Sequence, residues 1–407
     1  MKTFSELSLS PLLMANLARN GFTAPTPIQA MAIEPALAGK DLVATAQTGT
    51  GKTLAFVLPI IQTLAERRTP AGVRAVILTP TRELSLQINE TFVKMAAASG
   101  VRAAVVVGGV AERPQLQSIR KGAQVLIATA GRLYDFLSRG LVSLGAVDIL
   151  VLDEADRMLD MGFLPTIKRI MAAIPTTRQT MFFSATIESS VKHLVETHVP
   201  NGLRIEIDST TKPAAQVDLR LYEVEQDRKL DLLHSMLGRE EGSFLVFART
   251  RHGAERLSRR LADQGVKCAA IHGDRSQSQR NQALRGFQEG HYRVLVATDV
   301  AARGIHVDGI SHVVNFDLPQ VPEDFIHRVG RTGRAGARGT ASTFGTRSER
   351  SAVAQIERTL AIRLTRYQPT GEISSDQGDA VAKTQLRRWR SFGPARGARR
   401  TQIRRAV

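Results

Sequence analysis

The stretch AQTGTGKT, residues 46–53, places glycines, hydroxyls and a lysine between an apolar run and an amphipathic segment. Glycines let the backbone wrap closely around an anion, and the N-terminus of a following helix favours negative charge. Lys52 is placed to reach β- and γ-phosphates, and Thr53 to ligate Mg²⁺. The stretch therefore predicts a phosphate-binding loop. The alternative is an ordinary glycine-rich turn, because Ala46 stands where the general GxxxxGK pattern has its first glycine.

A second stretch, ILVLDEAD at residues 149–156, ends an apolar run in three acids. Asp153 is suited to hold Mg²⁺ through water, and Glu154 to orient or deprotonate an attacking water. Considered alone, such acids are more typical of an ordinary helix N-terminus. About a hundred residues after the lysine loop, they indicate the second half of a nucleotide-hydrolysing site.

The composition points to a polyanionic partner. The 407 residues carry 55 Lys and Arg against 38 Asp and Glu, a net charge of +17. Nucleic acid fits this charge best, and an anionic membrane surface is the alternative. The single cysteine, Cys268, excludes a disulfide framework. Polar residues interrupt the first twenty positions, and no apolar run reaches 18 residues, so we predict a cytoplasmic protein without a membrane span.

Short apolar runs alternate with longer amphipathic segments along both halves of the chain. Runs this apolar are typical of parallel strands that are buried on both faces, and the intervals leave room for crossover helices. We predict an α/β protein with two domains, at 1–207 and 217–366, joined by a linker at 208–216. The runs are 41–46, 75–80, 103–109, 125–129, 149–154 and 181–186, then 244–248, 268–272, 294–298, 312–316 and 340–344.

The last segment, 367–407, has a different composition from the rest. Residues 366–407 hold 10 basic and 3 acidic residues and almost no apolar periodicity. We predict a disordered basic tail. Trp389 and Phe392 lie among arginines and are suited to stack on bases; the alternative is a solvated tail that only aids solubility.

The ordered set of motifs resembles the DEAD-box ATP-dependent RNA helicases of superfamily 2. The resemblance covers about residues 4–345 and implies two RecA-like domains in tandem, most similar to the bacterial RhlE-type branch. It rests on GFTAPTPIQ (21–29), AQTGTGKT, PTRELSLQ (80–87), TAGR (129–132), DEAD, SAT (184–186), LVFART (245–250), QSQR (277–280), ATDVAARG (297–304) and HRVGRTGR (327–334).

The resemblance assigns the nucleotide contacts. Phe22 packs on the adenine and Gln29 bonds its edge, while Ala46 belongs to the family's own form of the phosphate loop. The implied cofactors are ATP and Mg²⁺, with Thr53 and Asp153 as metal ligands. The implied nucleotide-binding residues are Phe22, Thr26, Gln29, Ala46, Gln47, Thr48, Gly49, Thr50, Gly51, Lys52, Thr53, Asp153 and Glu154.

The resemblance also implies two further groups of residues. The first binds the RNA backbone: Pro80, Thr81, Arg82, Gly109, Thr129, Gly131, Arg132, Thr250, Gln277, Arg280, Thr298 and Arg303. The second couples the two domains: Asp156, Ser184, Thr186, Asp299 and His327. One departure is His306, which stands after ARGI where the family usually has Asp and which cannot recognise ribose in a bidentate manner.

The motif HRVGRTGR adds catalytic cations from the second half of the chain. Arg331 and Arg334 look like arginine fingers that stabilise charge on the leaving phosphoryl group, and His327 adds a fourth cation beside Arg328 if it is protonated. With Lys52 and Glu154, they make up the predicted catalytic set. Because the fingers and the phosphate loop lie in different domains, catalysis requires the domains to close.

The predicted activity is RNA-stimulated ATP hydrolysis coupled to non-processive, local unwinding of RNA duplexes and remodelling of RNA–protein complexes. The predicted partner is RNA without sequence preference, bound by a monomer. Ribosome assembly and RNA decay are both reasonable settings, and no residue chooses between them. Two alternatives stay open: an ATP-gated RNA clamp or scaffold, and a superfamily 2 DNA helicase.

Overall fold

The structure is a computed structural model that describes residues 3–46, 50–67, 72–185, 189–207, 216–302, 309–333 and 338–370. These residues form two seven-stranded sheets, in the orders β3-β4-β2-β5-β6-β1-β7 and β10-β11-β9-β12-β13-β8-β14. The strand pairs within each sheet are parallel. The predicted fold class, two parallel α/β sheets in tandem, is therefore confirmed.

The strand bounds follow the chain order. The first sheet contains β1 Leu42–Thr45, β2 Ala75–Thr79, β3 Ala103–Val106, β4 Val125–Thr129, β5 Ile149–Leu152, β6 Gln179–Ser184 and β7 Leu203–Glu206. The second contains β8 Val217–Glu223, β9 Phe244–Phe247, β10 Cys268–Ile271, β11 Val294–Ala297, β12 His312–Asn315, β13 Gly339–Gly345 and β14 Thr365–Tyr367.

Helices connect the strands. We call the first sheet with α1–α9 the first domain, and the second sheet with α10–α15 the second domain. The first nine are α1 Pro11–Arg19, α2 Pro27–Leu37, α3 Lys52–Glu66, α4 Arg82–Met95, α5 Glu112–Arg120, α6 Ala130–Ser138, α7 Ala155–Asp160, α8 Leu164–Ala172 and α9 Ser189–His198. The others are α10 Lys229–Arg239, α11 Arg251–Asp263, α12 Gln277–Gln288, α13 Asp299–Ala302, α14 Pro322–Val329 and α15 Arg350–Thr359.

The order of the first sheet brings its motifs together. Strands β2, β5, β6 and β1 are neighbours, and parallel strands end at the same edge of a sheet. The segments PTRE, DEAD, SAT and the phosphate loop follow these four strands. Backbone hydrogen bonds continue past the strand ends, from Asp153 N to Leu78 O at 2.9 Å and from Ala46 N to Ser184 O at 3.0 Å.

Each sheet is buried on both faces, as the apolar runs predict. Two apolar clusters cover the faces of the first sheet, and two cover those of the second. The four residues of β5, for example, are at most 2% exposed. Burying one Leu, Ile or Val side chain contributes roughly 1.5–3 kcal/mol, so the strands hold the edge loops on a rigid base.

Three strands escaped the sequence prediction: β7, β8 and β14. Their sequences mix charges with apolar residues, as in VDLRLYE for β8, because β7 and β14 are edge strands and β8 is only partly buried. The predicted start of the tail at Tyr367 is wrong, since Tyr367 pairs with Tyr222 of β8 and their rings lie 5.6 Å apart. The tail after Thr370, with Trp389 and Phe392, and linker residues 208–215 lie outside the described residues.

Candidate functional site

The lysine loop connects β1 to α3. Gly51, the N-cap of α3, has a left-handed backbone with φ 89°, and a Cβ at this position would lie 2.5 Å from Nε2 of Gln29. Both facts require glycine here. Lys52 is 6% exposed, and its Nζ donates to the Ala46 carbonyl at 3.0 Å. The ammonium therefore lies beside the start of the loop, with Thr50 and Thr53 half-buried in the same segment; its contact with phosphates stays a prediction.

Gln29 joins the segment GFTAPTPIQ to this loop. Its Nε2 donates to Gly51 O at 2.9 Å, and its Oε1 accepts from Thr26 N at 2.9 Å. Each amide group keeps capacity for one more hydrogen bond, so the predicted adenine contact stays a prediction. Thr26 Oγ1 is buried without a hydrogen-bond partner in the described part of the chain, and Phe22 is 38% exposed nearby in sequence.

Asp153 and Glu154 lie between β5 and α7, Asp156 lies in the first turn of α7, and all three are buried. Glu154 has a left-handed backbone with φ 51° and ψ 52°, which costs a non-glycine residue roughly 1–2 kcal/mol. Such strain is typical of functional positions. Asp153 Oδ1 accepts from Glu154 N at 3.1 Å. The two carboxyl side chains thus stand at the sheet edge on a sharp turn.

The protein environment separates the pKa values of these two carboxyls. Burial raises the pKa of Asp153 to about 7, although the charge of Lys52 opposes it. Burial also raises the pKa of Glu154, but the charges of Arg157, Lys52 and Arg331 outweigh it and lower that pKa to about 2. Glu154 is therefore an ionised carboxylate near neutral pH, as a water-orienting or accepting group must be.

Asp156 connects the acids to the SAT segment. Its Oδ2 accepts from Ala185 N at 2.9 Å, and its own N donates to Ser184 Oγ at 3.3 Å. These bonds tie the end of β6 to the start of α7. The predicted coupling residues Asp156 and Ser184 are thus in contact within the first domain.

The end of α14 and the turn that follows it bring cations of the second domain close to the three acids. Arg331 is 3% exposed, and its charge contributes to lowering the Glu154 pKa. Its Nε donates to His327 O at 3.2 Å. The condition on which His327 would be a fourth cation is not met near neutral pH, because burial, then the charge of Arg157, lowers its pKa to about 3.

Asp299 has a different partner from the one expected of an interdomain residue. Its two oxygens accept from Nε and Nη2 of Arg328 at 2.6 and 2.7 Å, within the second domain. Arg328 also donates to Asn315 Oδ1 at 3.2 Å and lies over the Phe247 ring. Asp299 therefore holds α14 in place, and its coupling to the first domain stays a prediction.

We expect closure of the domains to weaken below pH 6.5. In the closed arrangement His327 stays neutral, whereas an opened cleft exposes it and returns its pKa to about 6.5. The open form then binds a proton that the closed form does not bind, so the equilibrium constant for closure falls by up to about tenfold per pH unit as pH falls from 6.5 towards 3.

Fluorescence energy transfer between labels at Val93 and Arg285, both exposed, measures closure. A His327→Gln variant with the same slope would refute this assignment.

A second group of motif residues lines one open cavity of 480 Å³ between the domains. The lining of this cavity also includes Asp135 and Phe163, which no motif contains. Of the predicted RNA contacts, it brings together Pro80, Thr81, Arg82, Thr129, Gly131, Arg132 and Arg280. Thr81 is also the N-cap of α4 and accepts from Leu84 N at 3.3 Å, so a helix N-terminus adds to the positive potential there.

Glu83 connects the two domains at this cavity. Its Oε1 accepts from Arg280 Nη2 at 2.9 Å and from Gln277 Nε2 at 3.1 Å. Arg82 Nη1 donates to Gln277 Oε1 at 3.4 Å. The cleft is therefore closed in this structure, and the cations of α12 reach the first domain.

Gly109 packs against Arg82. Its φ is +68°, and a Cβ would lie 2.1 Å from Arg82 Nη1. We expect Gly109→Ala to displace that guanidinium and to weaken RNA binding about tenfold, the value of one charge-assisted hydrogen bond, as measured by fluorescence anisotropy. Gly140→Ala is the matched control, because Gly140 has φ +66° with nothing within 4 Å. An equal loss in both variants would assign the effect to backbone strain instead.

The other predicted residues divide into two groups. Thr250 caps α11 by accepting from Gly253 N at 2.9 Å, and Thr298 donates its N–H to Ile271 O at 3.3 Å; neither lines the 480 Å³ cavity. The rest lie outside the described residues: Gln47, Thr48, Gly49, Thr186, Arg303, Arg334 and His306.

The sequence analysis gave no role to two charged residues at the cleft, Glu83 and Arg157, and named Arg328 only as a cation of its motif. Each stands inside or next to a motif, in PTRE, DEADR and HRVGR. Their motif positions were the available signal. Their contacts are with residues distant along the chain, and the sequence alone does not show which distant residues meet.

Comparison with known proteins places this geometry in a family. Residues 26–194 match the model of the DEAD/DEAH box helicases, and residues 228–336 match that of the helicase conserved C-terminal domain. The DEAD-box ATP-dependent RNA helicase CshA of Geobacillus kaustophilus is 40% identical over 91% of this chain and 79% of its own length. This chain belongs to the DEAD-box RNA helicases.

Another relative and a solved structure support the same family assignment. The ATP-dependent RNA helicase RhlB of Xanthomonas oryzae pv. oryzae is 44% identical over 81% of this chain, a match that spans 59% of the relative's length. The structure of S. cerevisiae Dbp5 bound to RNA and ADP BeF3 has a TM-score of 0.82 and 31% identity over 95% of this chain and 99% of that one. The narrower RhlE-type assignment stays a prediction. In the described residues, no helix is long and apolar enough to cross a membrane.

Proposed function

We propose that this DEAD-box chain is an RNA-stimulated ATPase that couples hydrolysis to local, non-processive unwinding of RNA duplexes and remodelling of RNA–protein complexes. The observation that carries the proposal is the convergence of both domains on Glu154. The positive charges of Lys52 from the first domain and of Arg331 from the second both stabilise its ionised carboxylate. A site divided in this way is complete only when the cleft is closed.

In the proposed reaction the phosphate loop and Lys52 bind the triphosphate, Glu154 orients the attacking water and accepts its proton, and Arg331 stabilises the charge on the leaving phosphoryl group. Both the nucleotide and the RNA cavity require the same closure. ATP therefore favours RNA binding, and RNA favours hydrolysis, through one equilibrium. Release of phosphate removes the ligand that holds the domains together.

Thr53 and Asp153 are the proposed protein ligands of Mg²⁺. Asp153 fits this role because burial without an adequate counter-charge raises its pKa to about 7, and a nearby cation would stabilise its ionised form. Within the described residues, no group of three or more His, Cys, Asp or Glu side chains is arranged to hold a metal ion. This suits Mg²⁺, which is usually held by one or two protein ligands together with phosphates and water. When bound, the ion neutralises charge on the triphosphate.

RNA is proposed to bind through its backbone across the 480 Å³ cavity, without sequence preference. Support comes from Arg82, Arg132 and Arg280, which line the cavity from both domains. We propose a first domain at 1–207, a second domain from 217 to the end of β14 at Tyr367 and, as a further expectation, a monomer. Ribosome assembly and RNA decay remain settings to be tested.

The first experiment is ATP hydrolysis by the purified chain with no nucleic acid, with single-stranded RNA, and with DNA of the same sequence. Strong stimulation by RNA alone is the expected result. Equal stimulation by DNA would point to a translocase on either nucleic acid, and no stimulation would contradict the proposal. Release of a short duplex RNA strand in the presence of ATP then tests the unwinding step.

A further inference from the structure

Arg157 stands one helical turn after Glu154 and belongs to none of the predicted site groups. Its side chain is 1% exposed, and its Nη1 donates to Glu154 Oε2 at 3.1 Å. Glu154 is the N-cap of α7, and Arg157 lies three residues later in the first turn of that helix. The ion pair therefore restricts the Glu154 carboxylate to one side of the turn.

Arg157 also lies against the second domain. Nε and Nη2 are buried and have no hydrogen-bond partner in the described part of the chain. A cavity of about 10 Å³ adjoins the guanidinium, and the other residues that line it belong to the second domain, among them Asp324, His327 and Arg331. A space of this size holds about one water molecule.

We propose that Arg157 is the positioning residue through which closure of the second domain fixes the Glu154 carboxylate for ATP hydrolysis. The inference rests on the proposed function. One edge of the guanidinium holds Glu154, and the opposite edge meets α14 and its neighbours only when the cleft is closed. Arg157 thus links the group that orients water to the domain that carries Arg331.

The chemistry of the cavity suits this role. A guanidinium is planar and offers five donors in fixed directions, so its two edges move as one body. His327 is neutral in the closed arrangement, so one ring nitrogen accepts a hydrogen bond, and the Asp324 carboxylate adds acceptors. A single water held in this cavity would bridge such acceptors to Nε or Nη2. Lysine, a point donor on a flexible stem, cannot reach both sides at once.

Two substitutions test the role by a double-mutant cycle on the full chain. We expect Arg157→Met to lower kcat of RNA-stimulated hydrolysis about 30-fold with KM for ATP within threefold, and Arg157→Lys to recover only a small part of the rate. In a Glu154→Gln background, Arg157→Met should lower the single-turnover rate less than twofold, because its effect passes through Glu154. An equal fold loss in both backgrounds would overturn the inference.

A stability cycle keeps the test informative if activity is low. Thermal unfolding of the same four proteins should show that Arg157→Met lowers Tm in the Glu154 background and lowers it less in the Glu154→Gln background, where no buried charge is left unpaired. Arg74→Met is the control, since Arg74 pairs with Asp148 at the opposite edge of the sheet; its kcat should stay within twofold. Additive Tm losses would overturn the pairing. If the unmodified chain shows no RNA-stimulated hydrolysis, the proposed function is contradicted. The Tm cycle then still tests the contact between Arg157 and Glu154.

Discussion

Replacement of Glu154 by glutamine is expected to lower RNA-stimulated ATP turnover by about 10²–10⁴-fold, the range for loss of a general base. The amide keeps the size of the side chain and its hydrogen bond from Arg157, but it has no charge to accept a proton. Binding of ATP and RNA should persist, because Lys52 and the RNA cavity are untouched. Steady-state hydrolysis and RNA anisotropy with ATP present measure the two quantities.

The same variant separates a helicase from a clamp. A helicase that melts duplex on closure still releases a strand in a single turnover, whereas a clamp stays bound without releasing it. Asp148→Asn is the control, because Asp148 pairs with Arg74 just before β5, at the sheet edge away from the cleft. Turnover by Glu154→Gln close to that of the unmodified chain would remove Glu154 from the proposed mechanism.

Arg331→Ala is the second variant with a large expected effect, a loss of about 10³-fold in kcat, within the range known for arginine fingers. The finger acts on charge that develops in the transition state, so KM for ATP should change little. Arg331→Lys should restore little, because lysine lacks the planar fork that meets phosphoryl oxygens. RNA-stimulated hydrolysis at saturating RNA is the measurement.

Loss of a guanidinium can lower kcat by destabilising the domain, and this effect has to be separated from a direct effect on catalysis. Arg293→Ala provides this control: Arg293 precedes β11, and its Nη1 and Nε donate to the carbonyls of Leu237 and Gly242, at 2.8 and 3.1 Å, at the edge opposite the cleft. It should lower Tm without lowering kcat. A comparable fall in kcat in both variants would mean that Arg331 acts by stabilising the domain.

The fold was predictable where burial on both faces makes a strand uniformly apolar. The runs at β2, β4 and β5 are of this kind, and their places in the sheet follow from it. Strand β8 was not predictable in the same way, because VDLRLYE mixes exposed, half-buried and buried positions without a regular alternation, beside the edge strand β14. A strand next to an edge has partners that only the completed sheet supplies.

The site divides along a similar line. The positions of Lys52 and Glu154 follow from local motif spacing, since each belongs to one loop at one strand end. The partners of Glu83 and Asp299 did not follow, because they depend on which helix of the second domain faces which loop. The protonation of His327 depends on burial, which no single motif reports.

The pairing of β1 has a consequence for the order in which the protein is made. Strand β1 pairs with β6 and β7, whose residues follow it by about 140–160 positions. At about 5–20 residues per second, translation leaves β1 without its partners for roughly 10–30 s. The nucleotide loop therefore acquires its shape late in the synthesis of the first domain. A nascent chain released before residue 206 has the motif but lacks the neighbours that hold it, and it exposes an apolar strand to other chains and to chaperones.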